Sequence, residues 1–222
     1  LWRAELRWHP AMLFAVAMIS AIGIGGLGGL WLGTATSDMY LHDSYFVVGH
    51  FHFMIGVVTA FGIFAGTYYW FPKMFGRHLD ERLGVLHFWL TVLPVFAGFI
   101  AMHWLGLAGG LRRVYDPTTY DYFRPVQPLN VWITASLLAG LAGQLVFVGN
   151  VLRSLVRGRR AEPNPWAAAT LEWMTPSPPP HGNWAELPAV YRGPYEYRVD
   201  GARDGFRPQW VPPEERAAPV AT

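Results

Sequence analysis

Four long stretches of this chain contain no Asp, Glu, Lys or Arg, and they limit the possible folds more than any other feature. They run Pro10–Ser37, Ser44–Pro72, Leu83–Leu111 and Pro125–Leu152. Each exceeds the roughly 20 apolar residues that a helix needs to cross about 30 Å of hydrocarbon. Charged residues make up only 14% of the chain, against about a quarter in soluble domains. We therefore predict an all-α membrane protein with four transmembrane helices.

The composition changes sharply after Gly158. Residues 161–222 are rich in Pro, Trp and Arg and show no helical period. We predict a four-helix transmembrane region over residues 1–160 and an irregular extramembrane tail on the inner side over residues 161–222. Because the first residue is Leu1 rather than an initiator Met, we also expect either a processed N-terminus or a piece of a longer polypeptide.

Basic residues are distributed unevenly over the predicted loops, and this assigns a side of the membrane to each loop. By the positive-inside rule, the loops richer in Lys and Arg lie on the inner side, together with both termini. The inner loops hold Arg3, Arg7, Lys73, Arg77, Arg82, Arg153, Arg157, Arg159 and Arg160, and the outer loops hold Arg112, Arg113 and Arg124. The net charge of +2 does not indicate a nucleic-acid partner, because these residues do not form one basic face.

Two histidines lie inside the second apolar stretch, where ionisable side chains are costly and tend to be functional. His50 and His52 are two residues apart, so on an α-helix they point about 200° apart and cannot bind the same metal ion. Each can instead be the axial ligand of a different haem, because neutral imidazole is a good axial ligand for haem iron. The alternative is a pair of buried histidines that hydrogen-bond to neighbouring helices.

The segment around these histidines resembles a known signature. Residues 42–52, His-Asp-Ser-Tyr-Phe-Val-Val-Gly-His-Phe-His, are similar to the signature of subunit I of the haem–copper oxidases, with Gly49 where that family often has Ala. The resemblance implies that His50 is the axial ligand of the high-spin, oxygen-reducing haem and therefore a catalytic residue. It implies that His52 is an axial ligand of the low-spin haem that supplies the electrons, and that both haems are of the a type.

The same resemblance assigns polar residues on the predicted outer side. His42 and Asp43 match a pair that helps bind a magnesium ion, which is shared with another subunit in this family. Asp38 matches an acid in the region of the haem propionates. The resemblance therefore implies a metal site and a propionate site close to the outer end of the second span.

Two adjacent arginines, Arg112 and Arg113, lie on the outer side against the positive-inside trend. Guanidinium groups bind carboxylates through bidentate, charge-assisted hydrogen bonds, and the preceding residues resemble the propionate-binding turn of the family. Gly110-Leu111 stands where the family commonly has Met-Pro. If the second helix starts near Ser44, His50 lies about 9 Å in from its outer end. We therefore expect both arginines to bind haem propionates.

The sequence lacks the copper ligands that the family requires. They are three histidines, two of them adjacent and one followed four residues later by Tyr, and no such arrangement occurs in the sequence. The resemblance implies that these are the last four helices of a twelve-helix subunit and that copper is bound by residues outside this chain. The implied partners are the remaining N-terminal helices of the catalytic subunit, subunit II with the electron entry site, subunit III-like membrane subunits, and cytochrome c or quinol as electron donor.

The implied function is part of a respiratory terminal oxidase that reduces dioxygen to water and translocates protons. Its membrane would be a bacterial cytoplasmic membrane or an inner mitochondrial-type membrane. One alternative is a quinol oxidase or nitric oxide reductase of the same superfamily. Another is a haem-free transporter or structural bundle, although the paired repeats typical of transporters are not visible. Of the remaining histidines, His103 is placed to border the haem region, and His87 is expected to be an ordinary buried histidine.

Overall fold

Every long element of the chain is a helix in the computed structural model, which describes residues 6–196 and 207–212. A π-helical segment, His52–Val57, joins the α-helices Tyr45–Phe51 and Val58–Phe75 in one continuous helix, Tyr45–Phe75. Short 3-10 turns occur at Pro117–Thr119, Asp121–Val126 and Leu171–Trp173. The α-helices are α1 (Pro10–Leu32), α2 (Ala35–Leu41), α3 (Tyr45–Phe51), α4 (Val58–Phe75), α5 (Glu81–Leu107) and α6 (Gln127–Arg157).

Four helical segments in the described ranges are long and apolar enough to cross a membrane. They are Pro10–Leu32, Tyr45–Phe75, Glu81–Leu107 and Asp121–Arg157. Their number and order agree with the four charge-free stretches of the sequence. The predicted all-α membrane fold is therefore confirmed.

Local hydrogen bonds fix the starts of the helices. The imidazole of His9 accepts from the backbone N–H of Ala11 at 3.4 Å, and Pro10 takes the first helical position, where no N–H is needed. At the start of α3, the hydroxyl of Ser44 accepts from the N–H of Phe46 at 3.2 Å. Each bond satisfies an amide that the first turn of a helix leaves without a partner.

The first helix is shorter than the stretch that contains it. The charge-free stretch continues to Ser37, but α1 ends at Leu32 and the separate helix α2 begins at Ala35. Thr34 has an extended backbone between them, at φ −103° and ψ 114°. Such a backbone cannot continue an α-helix, so the chain leaves the helical path before the end of the charge-free stretch.

Proline does not end the helices in which it occurs. The charge-free stretch ends at Pro72, where a proline would be expected to end the helix, but α4 continues to Phe75. Pro72 removes one backbone hydrogen bond, and the helix stops where Gly76, with φ +63°, donates to the Pro72 carbonyl at 2.9 Å. Pro94 also lies inside a helix, because α5 is continuous around it.

The described residues form two compact units. The first takes in the chain up to Tyr69 together with Leu79–Arg157, and the second takes in Trp70–His78 together with the chain from Gly158. The boundary near residue 160 that composition suggests stays a prediction. In the second unit, the buried ammonium of Lys73 donates to backbone carbonyls of the tail.

Aromatic side chains fill the core of the first unit. Phe14 of α1 is fully buried, and its ring lies 5.5 Å from Phe61, 5.1 Å from Phe88 and 4.9 Å from the imidazole of His87. Phe53 is also fully buried, with its ring 5.7 Å from that of Phe99. These contacts hold α1, the helix Tyr45–Phe75 and α5 against one another.

Polar side chains connect the helices near the start of α5. Asn150 of α6 accepts from the backbone N–H of Asp80 at 3.0 Å and donates to its carbonyl at 2.9 Å. The hydroxyl of Tyr68 interacts with Asn150 and lies 3.1 Å from Nδ1 of the buried His87. Inside a membrane such hydrogen bonds join helices that hydrophobic burial alone does not order. The expectation that His87 is a buried structural histidine fits this arrangement.

Candidate functional site

His50 lies in the last turn of α3 and is held by the first helix. Its Nδ1 lies 2.6 Å from the carbonyl oxygen of Gly25. A Cβ atom at Gly29 would come within 3.0 Å of the imidazole Cε1, and one at Gly28 within 3.2 Å of Nδ1. The glycines of α1 therefore leave the space in which the half-buried imidazole lies.

His52 begins the π-helical segment and is held by its own helix. Its Nδ1 lies 2.8 Å from the carbonyl oxygen of Val48. The ring centroid is 4.5 Å from that of Phe51 and 5.1 Å from that of Phe99 on α5. The imidazoles of His50 and His52 thus have different neighbours, one against α1 and the other against an aromatic side chain of α5.

The hydrogen bonds define which nitrogen of each imidazole can bind a metal. A carbonyl oxygen only accepts, so Nδ1 of both His50 and His52 carries the proton and donates it. The lone pair is then on Nε2, and a hydrogen-bonded Nδ1 is the usual support for a metal-bound histidine. Each side chain can therefore offer one nitrogen to an iron ion. This donor set fits the axial position of a haem, where one imidazole nitrogen binds the iron.

The described residues contain no group of three or more His, Cys, Asp or Glu side chains that could hold a metal ion. A haem does not need such a group, because the porphyrin supplies four of the iron ligands and the protein only the axial ones. The pair of isolated histidines is therefore suited to haem rather than to a metal ion bound by protein alone.

A third histidine lies beside His50. Nδ1 of His103 on α5 lies 2.8 Å from the carbonyl oxygen of Phe99. A Cβ atom at Gly28 would be 3.4 Å from Nε2 of His103 as well as 3.2 Å from Nδ1 of His50, and one at Gly49 would be 2.6 Å from Nδ1 of His103. Two glycines on different helices thus make room for His103, and their spacing in the sequence gave no sign of this.

At the other end of α3, Asp43 and Arg112 form an ion pair. The carboxylate of Asp43 lies 2.6 Å from both Nε and Nη2 of Arg112, and the backbone N–H of Arg112 donates to the Asp43 carbonyl at 2.9 Å. The hydrogen bond from Arg112 is the main reason that the pKa of Asp43 lies below its usual value. An isolated antiparallel β-bridge between the backbones of Ser44 and Leu111 lies next to this ion pair. The turn after α5 is therefore attached to the start of the helix that carries His50.

The other residues predicted for the magnesium and propionate sites lie around the ion pair of Asp43 and Arg112. His42 lies 3.6 Å from a carboxylate oxygen of Asp38 and 3.9 Å from one of Asp43. Arg113 has a positive φ of 63° and adds to the positive field at Asp43. The structure thus brings the predicted magnesium pair and the predicted propionate residues together. Their individual roles stay predictions, and Arg112 contacts Asp43 here.

Comparison with known proteins matches most of the chain to one family. Residues 1–173 match the family described as Cytochrome C and Quinol oxidase polypeptide I. The matched range includes all four candidate membrane spans and both histidines of the second span.

Individual relatives show the same likeness. The chain is 45% identical to cytochrome c oxidase subunit 1 of Thermostichus vulcanus over 202 residues, 90% of this chain and 35% of that protein. It is 43% identical to an alternative cytochrome c oxidase subunit 1 of Bradyrhizobium diazoefficiens over 216 residues, 96% of this chain and 36% of that protein. It is 44% identical to cytochrome c oxidase subunit 1 of Synechocystis sp. over 200 residues, which make up 90% of this chain and 35% of that protein. The chain thus spans about a third of the length of these relatives.

Proposed function

Because the chain belongs to the cytochrome c and quinol oxidase polypeptide I family, we propose that it is part of the catalytic subunit of a respiratory terminal oxidase. The complete enzyme reduces dioxygen to water and couples the reaction to proton translocation. In this proposal His50 is the axial ligand of the high-spin haem and His52 an axial ligand of the low-spin haem. Both haems are of the a type.

One observation carries the proposal. Two half-buried imidazoles lie two residues apart in a membrane helix, and each is fixed by a hydrogen bond from Nδ1 to a backbone carbonyl. Because Nδ1 of each ring donates, the lone pair of each ring is on Nε2. Haem binding requires this arrangement, because the lone pair forms the bond to iron. The structural alternative, hydrogen bonds between helices, accounts for Nδ1 of His50, which bonds to α1, but not for Nδ1 of His52, which bonds within its own helix.

The chain contributes position and charge rather than redox chemistry. When bound, the haems carry the electrons and bind dioxygen, as cofactors do in such enzymes. The residues of the chain orient the axial imidazoles and supply the field around the propionates. Arg112, Arg113 and Asp38 belong to the propionate region, and His42 with Asp43 to the magnesium site shared with another subunit. Arg112 links the two regions, since its guanidinium holds the carboxylate of Asp43.

The rest of the enzyme lies outside this chain. Copper is bound by residues of the remaining N-terminal helices, and electrons enter through subunit II from cytochrome c or quinol. Subunit III-like membrane subunits complete the complex. Both termini of this chain lie on the inner side of the membrane, as the distribution of Arg and Lys suggests. We expect no oxidase activity from the chain alone.

The ligand roles are tested in the assembled complex by replacing one histidine at a time. His50→Ala should abolish the high-spin, carbon-monoxide-binding haem signal, and His52→Ala should remove the low-spin signal, because each variant loses the nitrogen that binds one iron. Visible absorption spectra of the reduced and carbon-monoxide-treated complex measure both. His78→Ala is the matched control, since its imidazole pairs with Glu162 in the second unit. Normal spectra in both ligand variants, or a haem-free wild-type complex, would show that the assignment is wrong.

A further inference from the structure

The imidazole of His103 on α5 is packed against two other helices. The ring of Phe46 on α3 meets it edge-on, with the ring centroids 4.8 Å apart and the planes at 82°. A Cβ atom at Gly49, the residue before His50, would lie 2.6 Å from Nδ1 and 2.8 Å from Cε1 of His103. A Cβ atom at Gly28 of α1 would lie 3.4 Å from Nε2. Rotation of this imidazole therefore requires a shift of α1 or α3.

The two nitrogens of His103 have opposite electrical character. Nδ1 lies 2.8 Å from the carbonyl oxygen of Phe99. Since a carbonyl oxygen only accepts, Nδ1 carries the proton and Nε2 carries the lone pair. In the neutral imidazole, which a membrane span favours over the charged form, the N–H is the positive end of the ring and the lone pair is the negative end. The negative end of His103 therefore faces Gly28 of α1.

This negative end lies beside the N–H of His50. The Cβ position of Gly28 is 3.4 Å from Nε2 of His103 and 3.2 Å from Nδ1 of His50, so both nitrogens border the same small space. Nδ1 of His50 donates its proton to the carbonyl oxygen of Gly25 at 2.6 Å. The lone pair of His103 adds negative potential at this N–H, and such an interaction is stronger in the low dielectric of a protein interior than in water.

The potential at the N–H of His50 acts on the opposite nitrogen of the same ring. Negative potential there draws positive charge toward the proton and leaves more electron density on Nε2, as in metal-bound histidines whose N–H donates to a carboxylate or a carbonyl. The carbonyl of Gly25 has this effect from α1, and the lone pair of His103 adds to it from α5. With His103 in place, Nε2 of His50 is therefore the stronger electron donor.

We propose that His103 is a positioning residue that acts through His50 and increases the electron density on its Nε2. This inference rests on the proposed role of His50 as the axial ligand of the high-spin haem. A stronger electron donor stabilises ferric iron relative to ferrous iron, and hydrogen bonding around an axial ligand is one way in which a protein sets the reduction potential of a haem. His103 therefore lowers the reduction potential of this haem.

The proposal is tested with His103→Phe and His103→Gln in the assembled complex. Phe keeps an aromatic ring but removes both nitrogens, whereas Gln can place an amide oxygen, which is an acceptor, near the position of Nε2. Resonance Raman spectroscopy of the reduced complex measures the stretching frequency of the bond between the high-spin iron and His50, and a redox titration measures the ratio of ferrous to ferric haem. His103→Phe should lower the frequency and raise the ratio about tenfold, at the lower end of the effect of outer-shell partners. His103→Gln should return both toward the wild type.

His87→Phe is the matched control, because it makes the same substitution on α5 at a histidine whose ring packs against Phe14 and Phe64. It should leave the frequency unchanged. If His103→Phe does not assemble, His103→Asn gives the same test, since Asn keeps a donor near Nδ1 and has no atom at Nε2. A wild-type frequency in the assembled variant, or an equal shift in His103→Gln, overturns this inference alone. Retention of the high-spin signal in His50→Ala would overturn the ligand assignment as well.

Discussion

At the scale of single residues, the glycines of α1 determine where the imidazole of His50 can lie. Gly25 supplies the carbonyl that fixes His50, and Gly28 and Gly29 leave space for its ring. A Cβ atom at Gly25 would lie 2.2 Å from Cβ of Phe53, so no side chain at this position would fit between α1 and the helix that carries His50. The position of the imidazole therefore depends on residues that bear no functional group.

We expect Gly25→Ala to displace the helix that holds His50. The added methyl group meets Cβ of Phe53, which cannot rotate away, so the two helices must separate and the bond from His50 to residue 25 must lengthen. The cost in stability should be about 1–3 kcal/mol, and, under the proposed ligation, the high-spin haem spectrum should change. Gly23→Ala is the control, because a Cβ there meets nothing within 4 Å. Thermal unfolding and absorption spectra of the complex compare the two, and equal results would refute the close-contact explanation.

At the scale of elements, one carboxylate, that of Asp80, stabilises the start of α5. Asp80 accepts from the N–H of Leu83 at 3.1 Å and from Nη1 of Arg153 at 2.7 Å. These interactions, that with Arg153 first, hold the pKa of Asp80 below its ordinary value of 3.8. A carboxyl whose pKa is lower in the folded state stabilises the fold above its unfolded pKa, and this stabilisation is lost as pH falls through the folded value.

The lowered pKa of Asp80 predicts how the stability of the variant Asp80→Asn depends on pH. The variant keeps an oxygen that can cap α5 but loses the charge, so it should be less stable than the wild type by up to about 1 kcal/mol at pH 7. The difference should shrink as pH falls below about 4, the ordinary carboxyl pKa. Thermal unfolding of the solubilised complex at several pH values measures it. Asp121→Asn, in the exposed pair with Arg124, should show no such change, and a pH-independent deficit for Asp80→Asn would contradict the mechanism.

The helices of this chain are predictable where the indicative residues lie within the helix itself. Absence of charge over each stretch is enough to predict a spanning helix, and it does so for all four. The ends are harder, because the extended backbone at Thr34 follows no charged or proline signal, and Pro72 lies too near the end of α4 to stop it. The π-helical turn at His52 has no charged, proline or periodic signal in the sequence.

At the scale of the whole molecule, the candidate site combines residues distant in sequence. His50 and His52 can be found from their spacing and surroundings, because both lie in one short segment. The acceptor Gly25 is 25 residues away, and the partner of Asp43 is Arg112. Pairings of this kind depend on how the helices pack, and the spacing of residues in the sequence does not predict that packing. The side chains were therefore predictable and their neighbours were not.

The second compact unit depends on the buried Lys73. Its ammonium donates to the carbonyl oxygens of Pro163 and Thr175, at 2.8 and 2.5 Å, and lies 5.3 Å from the ring of Trp173. Lys73→Met should leave these carbonyls buried without a donor and cost about 1–3 kcal/mol. Limited proteolysis of the complex with chymotrypsin, which does not cleave after Arg, should then cleave residues 158–177 faster. Arg160→Gln, at an exposed position, should be cleaved like the wild type, and equal rates for both variants would disprove the anchoring role.

The bond between His50 and Gly25 makes the direction of one side chain depend on the spacing of two helices. A backbone carbonyl of α1 holds the ring, so a displacement of α1 along or away from its neighbour turns the imidazole with it. A substitution that moves α1 should therefore change the direction of Nε2 of His50 even where the substituted residue does not touch the ring.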